Sequence, residues 1–277
     1  MLHDILFIMS LLEGILIGLV QGITEFLPIS ALGHLVLARD LFSIETTNAL
    51  AFTGMIHLAT SLAIIVYFWS EIWTLLQVLL RKLGRLPVNE KDLSLLKALL
   101  LGAIPVTVVG ILVEPFLRIS NQSTALVAGV IFSGSVFLMY TEWRYFNRPV
   151  HEMITARSGF LLGLFQILAL LPGFSRSGAT VAGGMLLGMS RYEATRFSFL
   201  LALPVTLGVG VRKMLELITA GGSIDWTPII SGSVAAFFSS LLVIHLFLSF
   251  MRRYTLWPFI WYGVVLSALI GYVSFIS

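Results

Sequence analysis

Apolar runs recur along the chain near residues 5–27, 50–80, 95–113, 124–142, 158–171, 179–190, 196–219, 227–250 and 257–276, without strict alternation of polar and apolar positions. A long run of this kind crosses hydrocarbon only as a helix, which satisfies its own backbone hydrogen bonds; a barrel needs short alternating segments instead. Only 11% of residues are charged and 58% are hydrophobic, against about a quarter and about half in a soluble domain. The expected class is therefore an all-α polytopic membrane protein forming a single integral membrane domain.

The formal charge of +3 does not indicate a nucleic-acid partner, because Lys and Arg are dispersed among loops instead of forming one basic face. They read as topology signals. Arg81, Lys82, Arg85, Lys91 and Lys97 mark one cytoplasmic loop, Arg144, Arg148 and Arg157 a second, and Arg252 with Arg253 a third. The loops around Ser120 and Gly221 carry fewer cations. Connecting these loops gives six full transmembrane helices and leaves two segments as re-entrant hairpins: residues 5–42 opening outward and 157–192 opening inward. The absence of Cys excludes disulfides and a Cys nucleophile. The segment MLHDILFIMSLLEG has no signal-peptide pattern and is expected to be the first helix.

Each hairpin contains a polar run. GLVQGITEFLPISALGH begins at Gly18 and GLFQILALLPGFSRSG at Gly163, sharing Gly-Leu-x-Gln, then Leu-Pro, then Ser and Gly. The match predicts an inverted repeat with halves at about 1–145 and 150–277, and such repeats hold their site near the midplane on broken helices. Pro28 and Pro172 mark the breaks. The helix that restarts after each offers free N–H groups and a positive dipole end to an anion.

Glu25, His34 and Arg176 are ionisable groups at bilayer depth, where each costs about 2.5–3.5 kcal/mol on insertion scales. Gly173 and Gly178 permit close backbone approach, Ser175, Ser177 and Thr180 offer hydroxyls, and Arg176 offers a planar fork for phosphate oxygens. A structural Arg paired with Glu25, and a Ser175 or Ser177 that merely caps the second helix, are the competing readings. Gln21 and Glu25 share one helical face. Glu25 is a candidate to bind a metal, orient His34, act as a base or pair with Arg176; Gln21 is a candidate ligand or an interhelical hydrogen bonder. His34 is a candidate base for a hydroxyl or water. Gly14, Gly18 and Gly22 form a packing seam. Glu13 is assigned to packing or the interface, His57 and His245 to structure, and the six Trp to interfacial anchoring.

Together the two runs resemble the undecaprenyl pyrophosphate phosphatases of bacteria, the BacA/UppP family. That family's pattern is Glu or Gln, three residues, Glu, then FLPxSSxGH, and later PGxSRSxxT. Gln21, Glu25, Phe26, Leu27, Pro28, Ser30, Gly33 and His34 match the first part; Pro172, Gly173, Ser175, Arg176, Ser177 and Thr180 match the second. The resemblance implies six spans and two re-entrant hairpins in a homodimer of the bacterial inner membrane. It also implies a site opening to the outer, periplasmic side, a divalent cation (Mg²⁺ or Ca²⁺) as cofactor, and bacitracin tolerance. The implied reaction converts a C55 polyprenyl diphosphate to the monophosphate carrier of cell-wall precursors. One departure stands out: Ala31 occupies the place of the second serine, a leading candidate nucleophile in the family.

The expected roles are catalysis by Glu25, His34 and Arg176 with Ser30 as fallback nucleophile, and substrate binding by Gln21, Gly173, Ser175, Ser177, Gly178 and Thr180. Glu25 and Gln21 are the expected metal ligands. The alternatives are a polyprenyl-phosphate transporter or flippase, suggested by the repeat and Ala31, and a non-catalytic lipid-binding paralogue.

Overall fold

The computed structural model describes residues 9–42, 49–119, 123–146, 154–220 and 224–276. The expected helix start near residue 5, Arg148, and the loop positions Ser120 and Gly221 lie outside these residues. Helices account for all the regular structure described: α1 (Leu11–Thr24), α2 (Ala31–Phe42), α3 (Ala49–Tyr67), α4 (Trp69–Leu83), α5 (Glu90–Ile119), α6 (Thr124–Tyr145), α7 (Ala156–Gln166) with a 3₁₀ turn (Ile167–Leu170), α8 (Arg176–Leu186), α9 (Arg191–Ala220), α10 (Trp226–Met251) and α11 (Trp257–Ile276). Among the described residues, α5, α6, α9, α10 and α11 each contain a stretch long and apolar enough to cross a membrane.

α3 and α4 pass that test only as a pair, and they meet at an 86° bend. The single apolar segment expected over 50–80 is thus two helices. Their divergence brings Glu71 of α4 to Arg196 of α9, whose Nη2 donates to Glu71 Oε2 at 2.7 Å while Nη1 donates to Glu193 at 2.9 Å. Trp69, Trp73, Trp143, Trp226 and Trp261 are exposed, as anchoring side chains at an interface would be. Glu13 acts locally. Its carboxylate accepts from the Ser10 N–H at 2.6 Å and its own N–H donates to Ser10 Oγ at 3.3 Å, a reciprocal cap on α1.

Packing repeats across the molecule. α1 lies on α10 as α7 lies on α5, while α3 pairs with α9 and α6 with α11. α1 and α7 achieve close approach in the same way. A Cβ at Gly18 would lie 2.8 Å from the Gly232 Cα, and one at Gly163 would lie 3.0 Å from the Gly102 carbonyl carbon. Gly14 and Gly22 extend the first seam against Pro228 and Ala236, and Gly159 extends the second against Ala98. Contact this close gives van der Waals and Cα–H···O attraction where lipid supplies no hydrophobic drive between helices.

A second clamp closes one end of the bundle. Glu142 of α6 is completely buried, accepts from Arg191 at 3.1 and 2.6 Å, and also accepts from the Leu256 N–H at the start of α11. The Arg191 guanidinium rests 4.2 Å above the Tyr145 ring.

Two outcomes follow from these contacts. Gly18→Leu drives a side chain into the α10 backbone and should lower the detergent melting midpoint by more than ordinary overpacking, about 1–3 kcal/mol; Gly129→Ala, at a position with nothing within 4 Å, should leave it unchanged. Glu142→Ala leaves a partly buried guanidinium uncompensated and should cost about 3 kcal/mol or more in the same assay.

Candidate active site at the two helix breaks

The site begins with a covalent problem. Pro28 has no N–H and disfavours helical geometry at Leu27, so α1 stops and the chain turns through Ile29 before α2 starts. The Ile29 N–H donates to the Leu27 carbonyl at 2.8 Å, and Ser30 takes a left-handed φ of +70°. Ser30 Oγ then accepts from the Gly33 N–H at 3.2 Å, capping α2. At the second break Gly173 has φ +101°, and a Cβ there would meet the Val127 carbonyl at 2.8 Å. Only glycine fits that turn. Ser175 caps α8 by accepting from the Gly178 N–H at 3.1 Å.

The breaks are sewn to each other. Ser177 Oγ donates to the Leu27 carbonyl at 2.9 Å and Ser175 Oγ at 3.3 Å, with the two hydroxyls 3.0 Å apart. Pro28, Ser30, Gly173, Ser175 and Gly178 therefore line a common cleft of about 280 Å³, part of it open, with Gly134 and Ser135 of α6 on its far wall. Ser30 and Ser175 cap their helices and also face this cleft. Ser177 and Thr180 are buried: Ser177 is spent on Leu27, while Thr180 Oγ1 donates to the Arg176 carbonyl at 2.9 Å and meets the Ser198 hydroxyl.

Beside the cleft, Arg176 and Glu25 form an ion pair at 3.2 Å, their side chains only 14% and 11% exposed. The Gln21 amide donates to the other Glu25 oxygen at 2.7 Å, and Arg176 Nη1 reaches the Ala202 carbonyl of α9 at 3.5 Å. Sequence reading left this pairing open as a structural option; the structure contains it. It joins a carboxylate at the end of α1 to a guanidinium at the start of α8.

His34 is held separately. Its Nδ1 lies 2.7 Å from the Ser30 carbonyl, which can only accept, so Nδ1 carries the proton and Nε2 presents its lone pair to the Tyr262 hydroxyl at 2.7 Å. Glu25 is hydrogen-bonded to Gln21 and Arg176, and His34 to Ser30 and Tyr262. Tyr262 sits in α11 outside either motif, and its ring stacks on His34 at 5.5 Å with a 4° interplanar angle.

A divalent cation finds limited protein ligation here. Among the described residues no cluster of three or more His, Asp or Glu side chains is poised to hold a metal. Glu25 supplies one carboxylate, already contacted by Arg176 and Gln21. That donor set fits Mg²⁺ or Ca²⁺ only as an ion carried in part by phosphate oxygens, a frequent arrangement for Mg²⁺.

Known proteins share this sequence along nearly its whole length. The chain is 34% identical to the undecaprenyl-diphosphatase of Alteromonas mediterranea over 96% of this chain and 100% of that protein. It is 36% identical to the undecaprenyl-diphosphatase of Myxococcus xanthus over 95% of this chain and 88% of that protein, and 34% identical to that of Hahella chejuensis over 94% and 97%. The family model described as bacitracin resistance protein BacA matches residues 14–269, both breaks and nearly every helix included, and the chain belongs to the BacA family.

Proposed function

We propose that the chain is an undecaprenyl-diphosphate phosphatase: it hydrolyses the C55 polyprenyl diphosphate to the monophosphate carrier and inorganic phosphate. The observation that carries the reading is the pairing of Glu25 with Arg176 beside the cleft that the two helix starts share. A guanidinium and two N-terminal helix ends suit an anion of high charge density, and the relatives named above are undecaprenyl-diphosphatases.

In the proposed reaction the terminal phosphate occupies the cleft between Ser30 and Ser175, and Arg176 turns from Glu25 to its oxygens. Gly173 and Gly178 allow the backbone to approach those oxygens, and Ser175 contributes its hydroxyl. Ser177 and Thr180 act by fixing the cradle. Water attacks phosphorus, the new P–O bond forms as the anhydride P–O bond breaks, and the lipid monophosphate leaves with the bond's electron pair. His34 Nε2 takes the water proton once Tyr262 releases it; Ser30 is the alternative nucleophile, and Ala31 takes no part. Arg176 stabilises charge developing on the transferred group. Glu25, assisted by Gln21, would hold a divalent cation with the diphosphate, and the cation would neutralise charge on the phosphate oxygens.

The finer topology belongs to the same proposal. The matched Gly18 and Gly163 seams, and the matched partners of α1 and α7, support two inverted halves. The reading includes six spans, a site opening to the periplasmic side of a bacterial inner membrane, and a homodimer.

Purified protein should release phosphate from C55 or C15 prenyl diphosphate, and Arg176→Ala or Glu25→Ala should lower kcat by about 10²–10³; a wild type that releases none and instead moves lipid in proteoliposomes overturns the enzyme. Chelation of divalent ions should slow turnover, and Mg²⁺ or Ca²⁺ should restore it. Ala31→Ser should change the rate by less than about tenfold, or 1.4 kcal/mol in barrier; a larger gain would assign the nucleophile to position 31. Because the chain lacks Cys, a single Cys at Arg85 can be labelled cleanly, and it should react only from the cytoplasmic side.

A further inference from the structure

A second void lies beside the ion pair, and it differs in character from the cleft between the breaks. Ile17, Leu35, Phe52 and Ile56 form apolar walls, while Gln21 and His57 supply polar groups, around about 300 Å³ of partly open space. The first cleft is bordered by Ser30, Ser175 and the α8 start at Gly178. Ile131, Leu138 and Phe174 also line that cleft, so its anion-binding groups are hydroxyls and helix starts, whereas the second void is walled by hydrocarbon with a polar end.

His57 makes the second void more than a packing defect. Its Nδ1 is buried without a hydrogen-bond partner among the described residues. Leaving such a group unsatisfied costs about 1–3 kcal/mol, which packing alone gives no reason to retain. Its backbone is firmly held: the His57 carbonyl accepts from Ser61 Oγ at 2.7 Å, and the same hydroxyl lies 2.8 Å from Thr206 Oγ1 of α9. Gln21 links the void directly to the pair, since its amide donates to Glu25 at 2.7 Å.

We propose that this void seats the lipid-bearing end of the diphosphate, the first isoprene unit lying against Ile17, Leu35, Phe52 and Ile56, with His57 hydrogen-bonding the phosphate that remains on the lipid. The inference rests on the phosphatase reading and adds the direction of the substrate within it. The terminal phosphate lies toward Ser30 and Ser175, the retained phosphate toward Gln21 and His57, and Arg176 stands between them. His57 is then a substrate-binding residue.

Product inhibition separates the two ends. C15 prenyl monophosphate reports on the retained phosphate, and inorganic phosphate on the released one. His57→Leu should raise the inhibition constant of the prenyl monophosphate about tenfold or more while leaving that of inorganic phosphate within about twofold. His57→Gln, which keeps an N–H donor, should recover part of the loss. Leu35→Phe, which fills the void from α2 and leaves His57 in place, should give the same split if His57→Leu does not fold. Equal shifts in both constants, or a shift in neither, overturn the assignment and leave the phosphatase reading standing. A wild type without phosphate release overturns that reading, and this inference with it.

Discussion

The Leu27 carbonyl is the point on which the site depends. A helix break among apolar neighbours exposes backbone groups that need partners, and here the hydroxyls of Ser175 and Ser177 reach across from the second break to the Leu27 oxygen. This oxygen already accepts from the Ile29 N–H; the hydroxyls use its remaining acceptor capacity and fix the distance between the two helix starts. Glu25 lies two residues before Leu27, and Arg176 lies between the two serines. Their ion pair is thus placed by the same stitch that resolves the backbone problem.

Holding two interrupted helices together also requires rigid backing, which α10 and α5 provide. Their glycine seams permit backbone approach that any larger residue would prevent at Gly18 or Gly163. The hairpins are therefore tied at their breaks by hydrogen bonds and along their lengths by close packing. The Glu142–Arg191 clamp works elsewhere, joining α6, α9 and α11 away from the breaks.

Membrane class, helix breaks and the polar residues around them were legible because each depends on a local cost, such as a proline without an N–H or a charge among apolar neighbours. The internal match paired residues that the structure places in unlike surroundings. Gln166 corresponds to Gln21, yet it is fully buried, its amide is unpartnered among the described residues, and no carboxylate follows it as Glu25 follows Gln21. The acid thus precedes the first break, and Arg176 follows the second. Tyr262 was not legible, because an aromatic near a span end looks like an anchor until α11 is packed beside His34. His57 was read as structural, as a lone imidazole on an apolar helix reads; that Gln21 of α1 lines the same void emerges only once the helices are packed. The bend after Tyr67 was hidden by hydropathy that continues through it.

The resting pair has a consequence for charge balance. With Glu25 opposite Arg176 at 3.2 Å, the centre of the protein is close to neutral, so the fold carries no uncompensated charge there. In the proposed reaction a diphosphate that takes the guanidinium would release the carboxylate and add its own negative charges. In a medium of low dielectric such an excess is costly, and proton uptake or a metal ion must accompany it. On the proposed reading, occupancy of this centre is tied to the arrival of positive charge.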